Sequence, residues 1–177
     1  SSFRHVREAQ RTLLRGSEGP GTLIWPWHDV RPEDPHFEAA NMLAVTGIWR
    51  PEADSLFFGP HKAVTRRELA GAVARLCRSL PGAKEWPTVS NPLYGDVRAD
   101  DPDRPFIEAM VSWGSFSPLG KNFTPDATAT CATLHEWLRR LGFAPPRSLL
   151  LNGKQPLTRA ECVDFLYRLL QEGGERL

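Results

Sequence analysis

The sequence predicts a mainly α-helical protein, a bundle of repeated helix pairs joined by long loops rich in proline and glycine. Three observations support this fold class. Apolar residues recur at helical spacing in several segments. The 16 prolines and 14 glycines divide the 177-residue chain into short elements. A set of sequence landmarks also occurs twice in the same order, which is typical of an internal repeat.

Composition narrows the classes of partner. A net charge of +1 gives no electrostatic reason to expect nucleic acid, and we expect none as a partner. No apolar run approaches the length that spans a bilayer, so no membrane span is expected either. The sequence starts at Ser1-Ser2 without a methionine or a signal peptide, which suggests a fragment of a larger polypeptide.

Six segments carry the helical pattern most clearly. The first is residues 3–15, which ends at Gly16, and the second is residues 36–46, which ends at Gly47. Four further helices follow the landmarks described below. Their apolar residues run from Leu69 to Leu80, from Phe106 to Trp113, from Leu134 to Leu141 and from Cys162 to Leu170, and all but the second of these four follow a threonine cap.

The repeat is defined by two kinds of landmark. Trp27-His28-Asp29-Val30 returns as Tyr94-Gly95-Asp96-Val97, an aromatic-x-Asp-Val string, 67 residues later. Phe58-Gly59-Pro60 returns as Phe123-Thr124-Pro125, 65 residues later. Each aromatic-x-Asp-Val string precedes a helix, here called the front helix, and each Phe-x-Pro string precedes a second helix. Chance similarity would not keep this order of parts.

The second helix of a unit opens with a four-residue string, here called the box. In a Thr-x-x-Glu box the threonine oxygen accepts the backbone N–H three residues on, and the glutamate reaches back to the threonine N–H. Two full boxes are present, and their predicted helix-capping residues are Thr65 and Glu68 in the first, and Thr158 and Glu161 in the third. Both boxes place an arginine second, Arg66 and Arg159, which capping does not explain.

The second box departs from this pattern. It has Thr130, Cys131 and Thr133 where the first has threonine, arginine and glutamate. We therefore expect this helix to have lost half of its capping box, at a cost on the order of 1 kcal/mol or less.

These landmarks predict a single module with four parts. Residues 21–82 form repeat 1, residues 92–142 form repeat 2 with the degenerate box, and residues 156–177 form a partial repeat 3. Residues 142–157 read as linker, so repeat 3 lacks a front helix of its own. We expect the N-terminal helix within residues 1–20 to fill that place, which would close a ring of three helix pairs.

The landmarks together resemble the S-layer homology family. An aromatic-x-Asp-Val string, a front helix that ends in Gly47-Ile48, a Phe-x-Pro string and a Thr-Arg-x-Glu box follow the family's repeat almost from end to end in residues 25–80. The resemblance implies a pseudo-threefold bundle of helix pairs. It also implies that Arg66 and Arg159 lie at grooves between repeats and bind an acidic sugar group, a role that Cys131 cannot fill. The family's glycine-rich loop before the phenylalanine is absent.

The function implied by the resemblance is non-catalytic attachment to the cell envelope through acidic cell-wall polysaccharide or an envelope protein, in an extracytoplasmic or secreted protein. The alternative is a structural or protein-interaction module that has lost the sugar site, at the C-terminus of a larger enzyme or scaffold. In that alternative Arg66 and Arg159 form salt bridges within or between repeats. No catalytic residues, metal ligands or cofactors are predicted.

Three other patterns were weighed. The loop Asp96, Asp100, Asp101 and Asp103 suggests calcium but lacks the spacing of a calcium loop. Cys131 and His135 share a helix face, as a nucleophile and its base would, yet Cys77, Cys131 and Cys162 fit core positions better. Trp25, Trp49 and Trp86 fall in loops and are expected at the surface.

Overall fold

A computed structural model describes residues 27–50, 55–88, 91–117, 120 and 122–172. The helix predicted at residues 3–15, its place in the ring, and Trp25 lie outside the described residues.

The described residues fold into helices without a strand, so the prediction of a mainly α-helical protein is confirmed. None of these helices is long and apolar enough to cross a membrane. The elements, in chain order, are α1 (Phe37–Val45), α2 (Arg66–Ser79), α3 (Arg104–Ser112), α4 (Cys131–Arg140), α5 (Ser148–Leu151) and α6 (Arg159–Gln171). Helix α5 falls in the segment that the sequence predicted to be linker.

The three helices that follow a box are α2, α4 and α6, here called the box helices. Each begins with a reciprocal cap at its threonine. The expectation that the second box had lost half of its cap is wrong. The backbone N–H of Thr130 donates to the hydroxyl of Thr133 at 3.3 Å, against 2.8 Å from Thr65 N–H to the carboxylate of Glu68. A hydroxyl accepts as a carboxylate does, but it brings no charge to the helix terminus.

The starts of the three box helices meet in a closed ring of backbone hydrogen bonds. Val64 N–H donates to the carbonyl of Leu157 at 2.8 Å, Leu157 N–H donates to the carbonyl of Ala129 at 2.9 Å, and Ala129 N–H donates to the carbonyl of Val64 at 2.8 Å. All three residues are completely buried. Because each backbone segment both donates and accepts, the ring satisfies these buried groups without a sheet.

The same relation repeats two residues further along each segment. The backbone N–H of Arg66 donates to the carbonyl of Ala127, that of Cys131 to Gln155, and that of Arg159 to Lys62. The three boxes are therefore structurally equivalent, and each begins against the chain that leads into another box.

Each box helix packs against a helix outside its own unit. Helix α2 packs against α3, α6 packs against α1, and α4 packs against α5. Helix α5, only four residues long, therefore lies against α4 in the way that the front helices α1 and α3 lie against α6 and α2. The residues predicted to be linker thus contribute a helix to the bundle.

Two aspartates, Asp29 and Asp96, here called the aspartate clamps, connect the front of a unit to its Phe-x-Pro string by hydrogen bonds. The carboxylate of Asp29 accepts the backbone N–H groups of Phe58 and Gly59, both at 2.7 Å. The carboxylate of Asp96 accepts those of Phe123 and Thr124 at 2.8 and 2.7 Å. These bonds explain the aspartate of each aromatic-x-Asp-Val string, because it satisfies two adjacent donors at the place where the chain turns toward the box.

One continuous core lies inside the bundle. The aromatic residue that opens each unit packs on the phenylalanine of the same unit, with ring centroids 5.4 Å apart for Trp27 and Phe58 and 5.6 Å for Tyr94 and Phe123. All four side chains are buried, as are the three cysteines, which are free thiols. The aromatic layer holds each Phe-x-Pro carbonyl in place for the contacts described next.

Candidate ligand-binding site

Arg159, the arginine of the third box, is only 5 % exposed. Its Nη1 donates to the carbonyl of Phe58 at 2.7 Å, and its Nη2 donates to the carboxylate of Glu68 at 2.5 Å. The guanidinium carbon lies 5.9 Å from the centroid of the Trp49 ring. Trp49, which was expected at the surface, is instead 4 % exposed, because it packs edge-on against Phe58. The third-box arginine is therefore held by a carbonyl, a carboxylate and an aromatic ring of repeat 1.

Glu68 has two roles in this arrangement. Its Oε2 accepts the backbone N–H of Thr65 at 2.8 Å, and its Oε1 accepts the guanidinium of Arg159. A single carboxylate thus caps one box helix and neutralises the arginine of another. The sequence predicted the capping part, but only the packing of distant segments brings residues 68 and 159 together.

Arg66, the arginine of the first box, occupies the equivalent place in repeat 2. Its Nε donates to the carbonyl of Phe123 at 2.9 Å. Its guanidinium carbon lies 4.8 Å from the centroid of the Phe123 ring and 5.4 Å from that of Trp137. The side chain is half-buried, and no carboxylate of the described residues lies at ion-pair distance. Arg66 is therefore a cation that lies against aromatic rings and forms no ion pair within the described part of the chain.

Arg66 lacks the glutamate partner that Arg159 has, because the second box is degenerate. By the equivalence of the backbone bonds, the position opposite Arg66 that corresponds to Glu68 is residue 133, and it is a threonine. Likewise Glu161 has Cys131 in the place where an arginine would stand. The bundle has three places for such an Arg–Glu pair, and within the described residues it forms one of them.

Burial disfavours the charged form of Arg66. Burial lowers the pKa of this guanidinium, whereas Tyr94 and Asp96 nearby act in the opposite direction. The Asp96 carboxylate is occupied by the two backbone N–H groups of the Phe-x-Pro string. An external anion at Arg66 would therefore meet a partly desolvated charge, and such charges form stronger hydrogen bonds than fully hydrated ones.

A cleft with a volume of about 470 Å³ opens beside Arg159. It is lined by Trp49, Arg50, Lys62, Thr65, Arg67, Glu68, Arg75, Pro102, Asp103, Phe106, Asp126 and Arg159. Arg66 does not line it. The two arginines expected to bind ligand therefore lie in different places, each against the Phe-x-Pro string of a different repeat.

Arg67, the third residue of the first box, forms ion pairs with three aspartates, two of which belong to the acidic loop. Its guanidinium pairs with Asp101 at 3.1 Å, with Asp103 at 3.2 Å and with Asp126 at 2.8 Å. Burial lowers the pKa of Arg67, but the hydrogen bonds that its guanidinium donates to these carboxylates outweigh burial and raise it. The four loop aspartates considered for calcium are thus engaged with protein groups, the remaining Asp100 with Arg98. Within the described residues, no group of three or more histidine, cysteine, aspartate or glutamate side chains is arranged to hold a metal ion.

Cys131 is 3 % exposed, and burial together with the charge of Glu161 raises the pKa of its thiol. A nucleophilic cysteine needs the opposite environment, because the thiolate is the reactive form. The pairing of Cys131 with His135 is therefore not supported by the electrostatics of the site, and the cysteine is a core residue.

Sequence reasoning overlooked two residues of the cleft. Arg75 and Phe106 face each other across α2 and α3, and the guanidinium carbon of Arg75 lies 4.7 Å from the Phe106 ring centroid. The sequence predicts both residues only as parts of helices. A signal was present in Gly71, a glycine inside a strongly helical pattern four residues before Arg75, because such a glycine commonly has a packing reason.

No protein-family model matches the sequence, and no curated protein matches it.

Proposed function

We propose that this chain is a divergent S-layer-homology-type module that attaches its parent polypeptide to the cell envelope, without catalysis, by binding acidic cell-wall polysaccharide. The observation that carries the proposal is the half-buried guanidinium of Arg66, which lies on two aromatic rings and has no carboxylate of the described residues at ion-pair distance. The protein would act outside the cytoplasm.

The ring of equivalent boxes supports the resemblance on which this proposal rests. Three segments that begin box helices bond to one another in a closed cycle, as three repeats around a common axis would. The pseudo-threefold arrangement of S-layer homology repeats accounts for this cycle and for the two aspartate clamps, although one of the three units is reduced to α5 and α6.

The internal pair of Arg159 and Glu68 supports the chemistry. In that pair the guanidinium donates one bond to a Phe-x-Pro carbonyl and another to a carboxylate. Arg66 makes the first of these bonds, to Phe123, and lacks the second. A sugar carboxylate would take the place that the missing glutamate leaves, and the planar guanidinium suits a carboxylate better than an ammonium group would.

The proposal is tested by binding of the chain to purified acidic cell-wall polysaccharide, measured by calorimetry, with the same polymer stripped of its acidic groups as the reference ligand. Arg66→Gln is expected to weaken binding about tenfold or more, because one charge-assisted hydrogen bond is lost. Thr133→Glu is expected to weaken it as strongly by supplying the internal acid. This second variant keeps Arg66 and should fold at least as well as the parent.

Arg98→Gln is the matched control, because Arg98 is exposed and pairs with its exposed neighbour Asp100. Its binding should equal that of the parent chain. Binding that survives both Arg66→Gln and Thr133→Glu, or that is the same for the stripped polymer, would rule out attachment through this site.

The alternative, a structural or protein-interaction module, is favoured by one observation. Arg159 is buried and bonds to Glu68 and Phe58 inside the protein, so one of the two arginines expected to bind ligand has a structural role available to it. If no acidic polymer binds at all, this alternative stands, with the module as a folded unit of a larger enzyme or scaffold.

A further inference from the structure

We propose that the cleft between α2 and α3 holds a second anion site, in which Arg75 and Arg50 on the ring of Phe106 bind a phosphate group. The site is separate from Arg66 and does not rest on the function proposed above.

Helix α2 contains a glycine that makes room for an arginine side chain. Gly71 lies inside this helix, where glycine costs about 1 kcal/mol relative to alanine. A Cβ at residue 71 would lie 2.9 Å from Nη1, 3.1 Å from Nη2 and 3.3 Å from Cζ of Arg75. The three nearest atoms therefore all belong to one guanidinium. The glycine leaves room for Arg75 to lie back along its own helix.

Three neighbouring groups hold the guanidinium of Arg75. Nε of Arg75 donates to the carbonyl of Ile48 at 2.8 Å, and Cζ lies 4.7 Å from the centroid of Phe106. The glycine, the carbonyl and the ring fix the head group from three sides. Such a fixed guanidinium loses little side-chain entropy when it binds a ligand.

A second cation, Arg50, lies near Arg75. Arg50 lies over the same ring, with Cζ 5.8 Å from the Phe106 centroid. Neither Arg50 nor Arg75 has a carboxylate of the described residues at ion-pair distance. Burial and the neighbouring charge of Arg50 lower the pKa of Arg75 to about 10, which leaves it charged at neutral pH. The two cations repel each other, and an anion between them would relieve that repulsion.

Of the carboxylates that line the cleft, Asp103 partly offsets the effects of burial and of Arg50 on the pKa of Arg75, but all three are paired with other arginines. Asp103 and Asp126 pair with Arg67, and Glu68 pairs with Arg159. An anion with two charges matches two guanidinium groups that have no ion-pair partner within the described residues, which favours a phosphate monoester or inorganic phosphate over a single carboxylate. The cleft volume of about 470 Å³ leaves space for a small polyol or sugar that carries the phosphate.

The test is a nuclear magnetic resonance titration that follows the Nε–Hε signal of Arg75 at constant ionic strength. The probes are inorganic phosphate, glycerol phosphate and glucuronate. Both phosphates should shift the Arg75 signal to saturation, and glucuronate should need a concentration about tenfold higher or more. Tighter binding of glycerol phosphate than of inorganic phosphate would identify a phosphoester as the ligand, and equal binding would identify free phosphate.

Gly71→Ala is the decisive variant. The new Cβ moves only the end of a flexible side chain, so the helix should gain stability while the guanidinium loses its place. Phosphate affinity should fall about tenfold or more in this variant and in Arg75→Gln. Arg78→Gln is the matched control, because Arg78 is on the same helix, stacks on Trp86 and does not line the cleft. Its phosphate affinity should be unchanged.

Arg66→Gln and Thr133→Glu should also leave phosphate binding unchanged, which separates this site from the one proposed for acidic polysaccharide. The assignment is overturned if Gly71→Ala binds phosphate as tightly as the parent while it remains folded. It is also overturned if glucuronate shifts the Arg75 signal at the same concentrations as phosphate.

Discussion

The carboxylate of Glu68 joins two boxes, because it caps the helix of its own box and pairs with Arg159 of another, 91 residues away in the sequence. The side chain of Arg159 is 6 % exposed and that of Glu68 is 24 % exposed. A pair of this kind contributes little relative to apolar residues in its place, but the loss of one partner leaves a buried charge alone.

We therefore predict that Glu68→Gln lowers the free energy of unfolding by about 2 kcal/mol, because it leaves the cap in place and removes the charge opposite Arg159. Glu161→Gln is the matched control, since Glu161 has the same capping role and Cys131 in place of an arginine. Its cost should be about 0.5 kcal/mol or less. Urea unfolding measures both, and equal costs for the two variants would contradict the structural role of the pair.

The aspartate clamps should matter more than their partial exposure suggests. Asp29→Asn and Asp96→Asn each leave one oxygen to serve two adjacent backbone donors, and the amide nitrogen would face one of those donors. We expect each substitution to lower the free energy of unfolding by about 1.5–3 kcal/mol. Asp100→Asn, at an exposed pair with Arg98, should cost about 0.5 kcal/mol or less. Chemical denaturation of the three variants side by side would show the difference, and a clamp variant as stable as Asp100→Asn would refute it.

The Phe-x-Pro strings contain a matched pair of backbone positions. Gly59 has φ +66°, and the equivalent Thr124 has φ +54°, which is strained for a residue with a Cβ. Thr124→Gly should therefore raise the free energy of unfolding by about 0.5–1 kcal/mol, reduced by the loss of its hydroxyl bond to the Phe123 carbonyl.

The reverse change, Gly59→Ala, should lower the free energy of unfolding by about 1 kcal/mol or more. The added Cβ would lie 3.3 Å from Cβ of Lys62 and 3.4 Å from Nη1 of Arg159. Thermal melts of Thr124→Gly and Gly59→Ala should shift in opposite directions, and a shift in the same direction would argue against equivalence of the two strings.

The pH dependence of stability should include a small contribution from α4. Hydrogen bonds from Arg139 and then Arg140 lower the pKa of Glu136 to about 2 from an ordinary 4.5. A depressed carboxyl pKa stabilises the folded state above the unfolded pKa, and that stability is lost as the pH falls from about 4.5 toward 2.

Because Glu136 is exposed and screened by solvent, Glu136→Gln should cost about 0.5 kcal/mol or less at pH 7. The difference from the parent should disappear near the pKa of about 2 and shrink with added salt. Denaturation curves across this range measure it, and a difference that is the same at pH 2 and pH 7 would be inconsistent with the ion pairs.

The sequence anticipated most of the helices and the box that opens three of them, because capping and apolar periodicity are local properties of the chain. It did not anticipate helix α5, whose four residues are too few for a periodic pattern and are ordered by packing against α4. It also placed Trp49 at the surface, because a loop position says nothing about the ring of Phe58 that covers it.

The sequence by itself determined the repeated order of aromatic, aspartate, phenylalanine and box, and with it the mainly helical fold. It also showed which box had lost its arginine and glutamate. Only the tertiary structure decided that Glu68 pairs with Arg159 and that Arg66 forms no ion pair with the described residues, because these partners come from different repeats. Which charges are neutralised depends on how the box helices meet around the ring of Val64, Ala129 and Leu157, and that meeting is a property of the whole packed bundle.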